Sequence, residues 1–304
     1  GAGRLGGAPG ARGRQRVNSQ FEFADRSQTV IVLDWDDTLF PTSYLLQKLQ
    51  VDWRMPLSLQ SSLSLVERQD ALRKLAQCEA CALEMLRRAF LIGQVVLVTL
   101  ARDSWVDKAC AQFYKRVGSL LQNFRIPVVY ALEALEADDV QMLREQCLDD
   151  EEFYGLVKGK AISKEITRCY SQYEGQTWKN VISIGDSRFE RYGLIAASAA
   201  YMQGRRVEGG ELPQALVEPG LWERVDDDES VVRLRVKCCK FANNPDMGEL
   251  AIELSMVSKW LEDMVKLDSG IDLDLEALKD QADIATVEAI LRGEKPVSFL
   301  PKGQ

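Results

Sequence analysis

The sequence of 304 residues contains no histidine. Without an imidazole, the chain cannot form a Ser-His-Asp triad, a Cys-His pair or the zinc sites that include histidine. Proton transfer near neutral pH must therefore use carboxylate, lysine, tyrosine or cysteine side chains.

Long apolar runs and excess positive charge are also missing. No stretch reaches the roughly 18 apolar residues that a membrane-spanning helix needs. The net charge is −8, which argues against a broad nucleic-acid-binding surface. The remaining composition, 46% hydrophobic and 28% charged, is ordinary for a globular protein with a sizeable core.

The seven cysteines do not have the spacing of a disulfide framework, and their number is odd. This pattern favours a reducing compartment such as the cytoplasm. Cys78 and Cys81 form a CxxC, but no second CxxC accompanies it. Because the pair lies within a helical pattern, we interpret it as packing.

The first 20 residues are basic, free of acidic side chains and rich in Gly, Arg and Ala. We predict a disordered leader over residues 1–22. A linker or tail is the simpler interpretation. The composition also fits the end of a transit peptide, which would place the protein in a plastid or mitochondrion.

Short apolar runs rich in β-branched residues alternate with amphipathic helical patterns. The runs occupy residues 29–33, 94–100, 126–130, 180–184 and 231–236. Helices are predicted over residues 65–90, 104–121, 131–157, 158–173 and 190–200, with another beginning at Asn244-Pro245. The alternation predicts an α/β fold, a Rossmann-like three-layer sandwich with a parallel central sheet.

We divide the chain into the leader, a core over residues 23–242 and a helical C-terminal extension over residues 243–304. The core has room for only a small helical insert near residues 42–65, so we expect a minimal cap and a nearly open site. The long helix of the extension offers a docking face for a protein partner.

Polar residues stand at the ends of three predicted strands: DWDDT at residues 34–38, Thr99, and Asp186. In parallel sheets, sites form at the carboxyl ends of strands. Carboxylates crowded at one strand end suit a hard divalent cation such as Mg²⁺, which screens their repulsion. An aspartate beside that cation can attack phosphorus.

These residues, in this order, resemble the motifs of haloacid dehalogenase-like (HAD) phosphatases. The DWDDT segment resembles the first motif, Thr99 the second, a lysine near residue 158 the third, and Gly185-Asp186 with Glu190 the fourth. The resemblance covers about residues 28–240. The chain is also similar to uncharacterised protist HAD-like proteins, through DWDDT, Ser104-Trp105-Val106 and DLDL at residues 272–275.

The resemblance implies a role for each motif residue. Asp34 would be the nucleophile, forming an aspartyl-phosphate, and Asp36 the general acid–base. Mg²⁺ would be held by Asp34, the backbone carbonyl of Asp36, Asp186 and, directly or through water, Glu190. Thr99 would donate a hydrogen bond to the phosphate.

Three lysines are candidates for the third motif: Lys158, Lys160 and Lys164. Lys158 has the spacing to Ala161-Ile162 that the protist group shows between its lysine and an apolar pair, so the resemblance favours Lys158, with Lys160 next. The two lysines that do not serve as the third-motif residue would be solvated surface charges. Asp37 is expected to be an exposed or helix-capping carboxylate.

The sequence departs from the pattern at Leu100, where the protist group has a polar residue after the threonine. This departure removes a polar side chain from the expected phosphate contact, and Arg102 or Asp103 is the alternative source of that contact. We expect a Mg²⁺-dependent phosphomonoester hydrolase acting on a phosphoprotein or another exposed phosphate. The alternatives are a non-catalytic binding or assembly subunit that retains the motifs, and a phosphotransferase using the same residues.

Overall fold

The computed structural model describes residues 20–204, 219–225 and 229–301. Within these residues the chain forms seven strands and eight α-helices. The strands are β1 (Thr29–Leu33), β2 (Gln94–Thr99), β3 (Val128–Tyr130), β4 (Asn180–Gly185), β5 (Leu221–Val225), β6 (Val231–Lys240) and β7 (Ile271–Asp274). The helices are α1 (Leu65–Ile92), α2 (Trp105–Gln112), α3 (Lys115–Phe124), α4 (Ala137–Gln146), α5 (Asp150–Cys169), α6 (Arg188–Met202), α7 (Met247–Lys266) and α8 (Gln281–Leu291).

The strands form a single sheet in the order β3-β2-β1-β4-β6. These five strands pair in parallel. The outer edge of β6 is shared by antiparallel β5, along residues 231–235, and parallel β7, along residues 237–240. The structure is thus an α/β sandwich with a central, mostly parallel sheet, and the predicted fold class is confirmed.

The central strand β1 is buried on both faces, as its unbroken apolar run predicts. Ile31 and Leu33 join a core cluster with residues of α1 and α7. Val30 and Val32 join a second cluster, with residues of α5 and α6, on the other face. Burying each such side chain contributes about 1.5–3 kcal/mol before entropy is counted, so both helical layers are tied to this strand.

Two predicted helical stretches divide differently in the structure. The predicted helix over residues 104–121 is interrupted at Phe113-Tyr114, between α2 and α3. In the predicted stretches 131–157 and 158–173, the break falls near Leu148 rather than at residue 158. Asp149 caps α5, and its side chain accepts a 2.8 Å hydrogen bond from the Glu152 amide.

The helix expected to begin at Asn244-Pro245 begins two residues later. Asp246 is its N-cap, and Glu249 completes a capping box by accepting from the Asp246 amide at 2.8 Å. Residues of α7 pack in the same core cluster as residues of α1, and β7 extends the sheet. The predicted C-terminal extension therefore contributes both a helix and a strand to the layered structure.

The segment predicted as a small helical insert contains a π-helical turn, Tyr44–Lys48, and a 3₁₀ turn, Leu57–Leu59. Most of the predicted leader lies outside the described residues. Among the helices that the structure describes, none combines the length and apolar character needed to cross a bilayer.

All seven cysteines are free thiols. Burial raises the pKa of Cys78 to about 12, and its thiol donates to the Met247 carbonyl oxygen at 2.7 Å. This contact agrees with a packing role for Cys78. The cellular compartment stays a prediction.

Candidate active site

The sheet order brings the three polar strand ends together. β1 lies between β2 and β4, and the chain leaves all three strands at the same edge because they are parallel. The Asp34 amide extends the ladder by donating to the Ile184 carbonyl oxygen at 2.9 Å. Asp34, Thr99 and Asp186 therefore converge at the carboxyl edge of the sheet, as predicted for this topology.

A buried lysine bridges two carboxylates at the centre of this edge. Lys158 Nζ donates to Asp34 Oδ1 at 2.7 Å and also to Glu190 Oε1. All three side chains are buried. The site thus contains a desolvated cation between the predicted nucleophile and a carboxylate of α6.

The competing lysines lie elsewhere. Lys160 Nζ is 3.5 Å from Asp139 Oδ1, and Lys164 is exposed. Lys158 was expected at the start of a helix. It lies instead in the third turn of α5, because that helix begins at Asp150. The spacing that favoured Lys158 thus agrees with its position, although the predicted helix boundary was wrong.

Burial dominates the electrostatics of the carboxylates. It raises the pKa of Asp34 well above its ordinary value, an effect that Lys158 only partly opposes. Burial likewise raises the pKa of Asp186 to about 7, and the charges of Glu190 and Asp37 add to the increase. Burial and mutual repulsion therefore favour the protonated forms of Asp34 and Asp186, and an additional cation would favour their ionised forms.

The lysine itself remains a cation. Burial lowers the pKa of Lys158, but the adjacent carboxylates of Asp34 and Glu190 outweigh burial and leave the pKa above its ordinary value. A fixed positive charge consequently stands 2.7 Å from the predicted nucleophile, where it can attract a phosphate group.

Three donors hold the Asp36 carboxylate. Thr42 Oγ1 donates to Oδ1, and Trp105 Nε1 donates to the same oxygen at 2.8 Å. Thr99 Oγ1 donates to Oδ2 at 3.3 Å and accepts from the Ala101 amide at 3.0 Å. Thr99, the predicted phosphate donor, thus contacts the predicted acid–base residue.

Sequence reasoning did not identify Thr42 or Trp105 as site residues. Trp105 belongs to the Ser104-Trp105-Val106 segment shared with the protist group. That similarity was the available signal for Trp105. For Thr42, which lies in the short helical stretch before the π-helical turn, the sequence offered none.

The loop after β1 turns sharply at Asp37. Its φ of 52° is in the left-handed region, and its amide donates to the Phe40 carbonyl oxygen at 2.7 Å. The carboxylate is buried and accepts from the Ser43 amide at 2.9 Å, next to the π-helical turn. Asp37 therefore caps this turn, and the alternative of an exposed carboxylate is excluded.

Glu190 uses both carboxylate oxygens inside the protein. Oε1 faces Lys158, while Oε2 accepts from the Ser187 amide at 2.9 Å and from Ser187 Oγ at 2.6 Å. Gly185 makes this packing possible, because a Cβ there would lie 2.1 Å from Glu190 Cγ. Glu190 thus fixes Lys158 and the turn after β4, and its role as a metal ligand stays a prediction.

Within the described residues, no group of three or more His, Cys, Asp or Glu side chains is already arranged as a metal site. The donor set nevertheless fits an oxygen-ligated cation, because Asp34, the Asp36 carbonyl and Asp186 offer the hard ligands that Mg²⁺ prefers. Asp186 accepts from Thr38 Oγ1 at a long 3.4 Å. Together with its raised pKa, this weak contact marks Asp186 as a carboxylate that a cation would stabilise.

Leu100 packs against the core cluster on the α5 and α6 face of the sheet. The apolar residue after Thr99 is therefore explained by packing. It supplies no polar group to the site.

No protein-family model, curated protein or solved structure matches the chain. The functional argument consequently rests on the geometry of the strand ends.

Proposed function

We propose that the protein is a Mg²⁺-dependent phosphomonoester hydrolase that acts through an aspartyl-phosphate on Asp34. The observation that carries the proposal is the buried Lys158–Asp34 pair beside Glu190 and Asp186, where burial and the neighbouring carboxylates raise the pKa of Asp34 and of Asp186. A site of this kind gains stability from a divalent cation and a phosphate together. The resemblance to HAD phosphatases assigns the same residues to the same chemistry.

In the proposed first step, Asp34 attacks the phosphorus atom with Oδ2, since Oδ1 is held by Lys158. The P–O bond to the leaving group breaks as the Oδ2–P bond forms. Asp36 gives a proton to the leaving oxygen, and Lys158 neutralises charge on the transferring phosphoryl group.

In the second step, Asp36 takes a proton from water, which attacks phosphorus and releases inorganic phosphate from Asp34. Asp34, the Asp36 carbonyl and Asp186 would hold Mg²⁺. When bound, this cation supplies charge neutralisation at the phosphate oxygens.

The small insert supports an exposed phosphate as substrate. Residues 42–64 form only two short helical turns and connecting loop in the structure. No large cap therefore covers the strand ends within this segment, which suits a phosphoprotein or another accessible phosphomonoester.

One observation favours a non-catalytic binding subunit instead. Leu100 packs in the core, and Thr99 is engaged with Asp36, so fewer donors point to a phosphate. A partner would then dock on the surface, for example on α7, whose exposed apolar side chain is Ile252. A phosphotransferase would use the same residues as the hydrolase.

A chromogenic aryl phosphate, assayed with and without Mg²⁺, tests the proposal. We expect Mg²⁺-dependent turnover that Asp34→Asn abolishes. Asp25→Asn is the matched control, because Asp25 is exposed and its side chain makes no capping hydrogen bond.

Beryllofluoride trapping provides a second readout that does not depend on the substrate chosen. We expect a Mg²⁺-dependent adduct on wild type that Asp34→Asn cannot form. If wild type and Asp34→Asn are equally inert toward a broad set of esters and neither binds beryllofluoride, the binding-subunit alternative prevails.

A further inference from the structure

Helix α5 runs antiparallel to β1 and projects beyond the edge of the sheet that carries the site. Near its C-terminal end, the Tyr170 hydroxyl donates to the Gln28 carbonyl oxygen and accepts from the Asn180 amide. These two groups lie at the starts of β1 and β4. In its third turn, Lys158 reaches Asp34 at the end of β1. The first two turns of α5 therefore stand beyond the carboxyl edge.

A groove of about 780 Å³ opens beside these projecting turns. It lies between α4, α5 and the loop that follows β3. Its main lining residues are Leu132, Leu135, Val140, Arg144, Phe153 and Tyr154. The volume is within the range of small-molecule sites in proteins.

Tyr154 connects the groove with the strand ends. It precedes Lys158 by four residues, so both side chains lie on the same face of α5. Its ring contacts that of Phe189, with centroids 5.9 Å apart, and Phe189 follows Asp186 by three residues. One wall of the groove is thus also a flank of the candidate active site.

The loop after β3 is fixed to the same edge. The Asp103 amide, four residues after Thr99, donates to Glu133 Oε1 at 2.8 Å. The neighbouring residues Leu132 and Leu135 line the groove. The loop that carries these two leucines is therefore attached to the segment that follows Thr99. A smaller groove of about 370 Å³, between α1 and α3, lies on the opposite face of the sheet.

The lining is mainly apolar and aromatic. Two polar side chains of α4 also belong to it, and they bond each other: Gln141 Nε2 donates to Glu145 Oε1 at 2.9 Å. The cation of the lining, Arg144, is paired with Asp150, and its guanidinium lies 4.9 Å from the centroid of the Phe153 ring. This pairing offsets its charge, and apolar and aromatic side chains make up most of the remaining lining. Such a surface suits an uncharged hydrophobic group rather than a sugar or a second phosphate.

We infer that this groove binds the organic part of the substrate, which is a phosphomonoester carrying a hydrophobic, aryl-sized leaving group. The inference rests on the proposed function, since it places the phosphoryl group at Asp34. Flat rings would stack beside Tyr154 and Phe153, while Lys158 holds the phosphate end. The groove thereby selects among substrates, a role for which the small insert is too short.

Binding of non-hydrolysable phosphonates tests the inference separately from turnover. In the presence of Mg²⁺, we expect 1-naphthylphosphonate to bind wild type at least about tenfold more tightly than methylphosphonate, the gain typical of a hydrophobic pocket. Calorimetric titration gives both dissociation constants. Hexylphosphonate, measured alongside, separates aryl from alkyl preference, and we expect it to bind more weakly than the naphthyl compound.

Leu135→Glu introduces a charge into the groove and should abolish the naphthyl advantage while leaving methylphosphonate affinity within about twofold. Leu148→Glu is the matched control, because Leu148 is 96% exposed, precedes α5 and does not line the groove. The inference is overturned if 1-naphthylphosphonate binds wild type no more tightly than methylphosphonate, or if both variants keep the same preference. Loss of turnover alone would count against the proposed function and not against the groove.

Discussion

The indole Nε1 of Trp105 donates a 2.8 Å hydrogen bond to Oδ1 of Asp36. This bond ties the first residue of α2 to the loop after β1. The indole ring also meets Phe40 and Trp53 edge-on, with centroid distances of 6.2 and 6.0 Å. An aromatic cluster thereby sets the direction of the carboxylate that the proposed mechanism uses for proton transfer.

Trp105→Phe is therefore expected to lower kcat while leaving KM almost unchanged. The ring packing survives, but Asp36 loses a donor, and a hydrogen bond to a charged group is worth about 1.5–3 kcal/mol, or roughly 10- to 100-fold in rate. Steady-state kinetics on an aryl phosphate measures the effect. Trp53→Phe is the control, and equal kcat values for both variants would show that the indole does not position Asp36.

Lys158→Met should lower the free energy of unfolding by about 3–5 kcal/mol, because it leaves the buried Asp34 and Glu190 carboxylates without their cation. Urea denaturation monitored by tryptophan fluorescence gives the value. Lys160→Met removes a lysine two residues away that makes a 3.5 Å contact with Asp139, and should cost less than about 1 kcal/mol. Similar losses for the two variants would contradict the central role of Lys158.

Adding Asp34→Asn to Lys158→Met should recover part of the lost stability, since the substitution removes one of the two unpaired charges. The double variant is measured in the same urea titration. Activity should be absent from Lys158→Met and retained in Lys160→Met, which decides between the two lysines independently of stability.

Mg²⁺ is expected to raise the melting temperature of wild type. A ligand at a hundred times its dissociation constant adds about 2.7 kcal/mol to stability, and the crowded carboxylates supply the affinity. Asp186→Asn should melt higher than wild type without Mg²⁺, because it removes a partly buried carboxyl group whose ionisation is poorly compensated, and should respond less to the cation. Differential scanning fluorimetry in a Mg²⁺ series checks both effects, with Asp25→Asn as control. If Mg²⁺ leaves the melting temperature of wild type unchanged, the cation site is contradicted.

Glu253 of α7 should make the protein less stable as the pH rises. Burial raises its pKa from 4.5 to about 7, and one of its oxygens accepts from the Ala242 amide at 2.9 Å. The folded state therefore holds a proton that the unfolded state loses. The stabilisation is complete below pH 4.5 and is lost as the pH rises through about 7.

Glu253→Gln should consequently be more stable than wild type at pH 8, by about 1–3 kcal/mol, since one pKa unit corresponds to about 1.4 kcal/mol. At pH 5 the difference should shrink toward zero. Denaturation at several pH values measures the trend, and Glu136→Gln, at an exposed site without a side-chain cap, is the control. A pH-independent difference would mean that Glu253 does not titrate in this range.

The central strands were predictable because apolar, β-branched runs such as Thr29–Leu33 have few alternatives to a buried strand. Strand β7 was not, since it is four residues long and half of them are aspartate. The α4–α5 boundary was missed because Leu148 and Asp149 carry no glycine or proline signal. The boundary does carry an N-cap signature, Asp149 with Glu152 three residues later, and in the structure the Asp149 side chain accepts from the Glu152 amide.

The candidate site, like the fold, could be predicted from the sequence only in part. Parallel strands must end at one edge, so the convergence of Asp34, Thr99 and Asp186 could be derived from the strand pattern. The contacts of Asp36 with Thr42 and Trp105 depend on how the segments that follow β1 and β2 fold over the sheet. Sequence periodicity does not predict contacts between such segments, so these partners became visible only with the structure.

The anchoring of α5 at both ends limits which changes in chain length the protein can tolerate. Between Lys158 and Tyr170, one inserted residue would rotate the lysine by about 100° and shift it by about 1.5 Å along the helix. The ammonium group would then leave Asp34, whatever residue was inserted. The loop before Asp149 carries no such constraint, so insertions there should be accepted while this twelve-residue interval keeps its length.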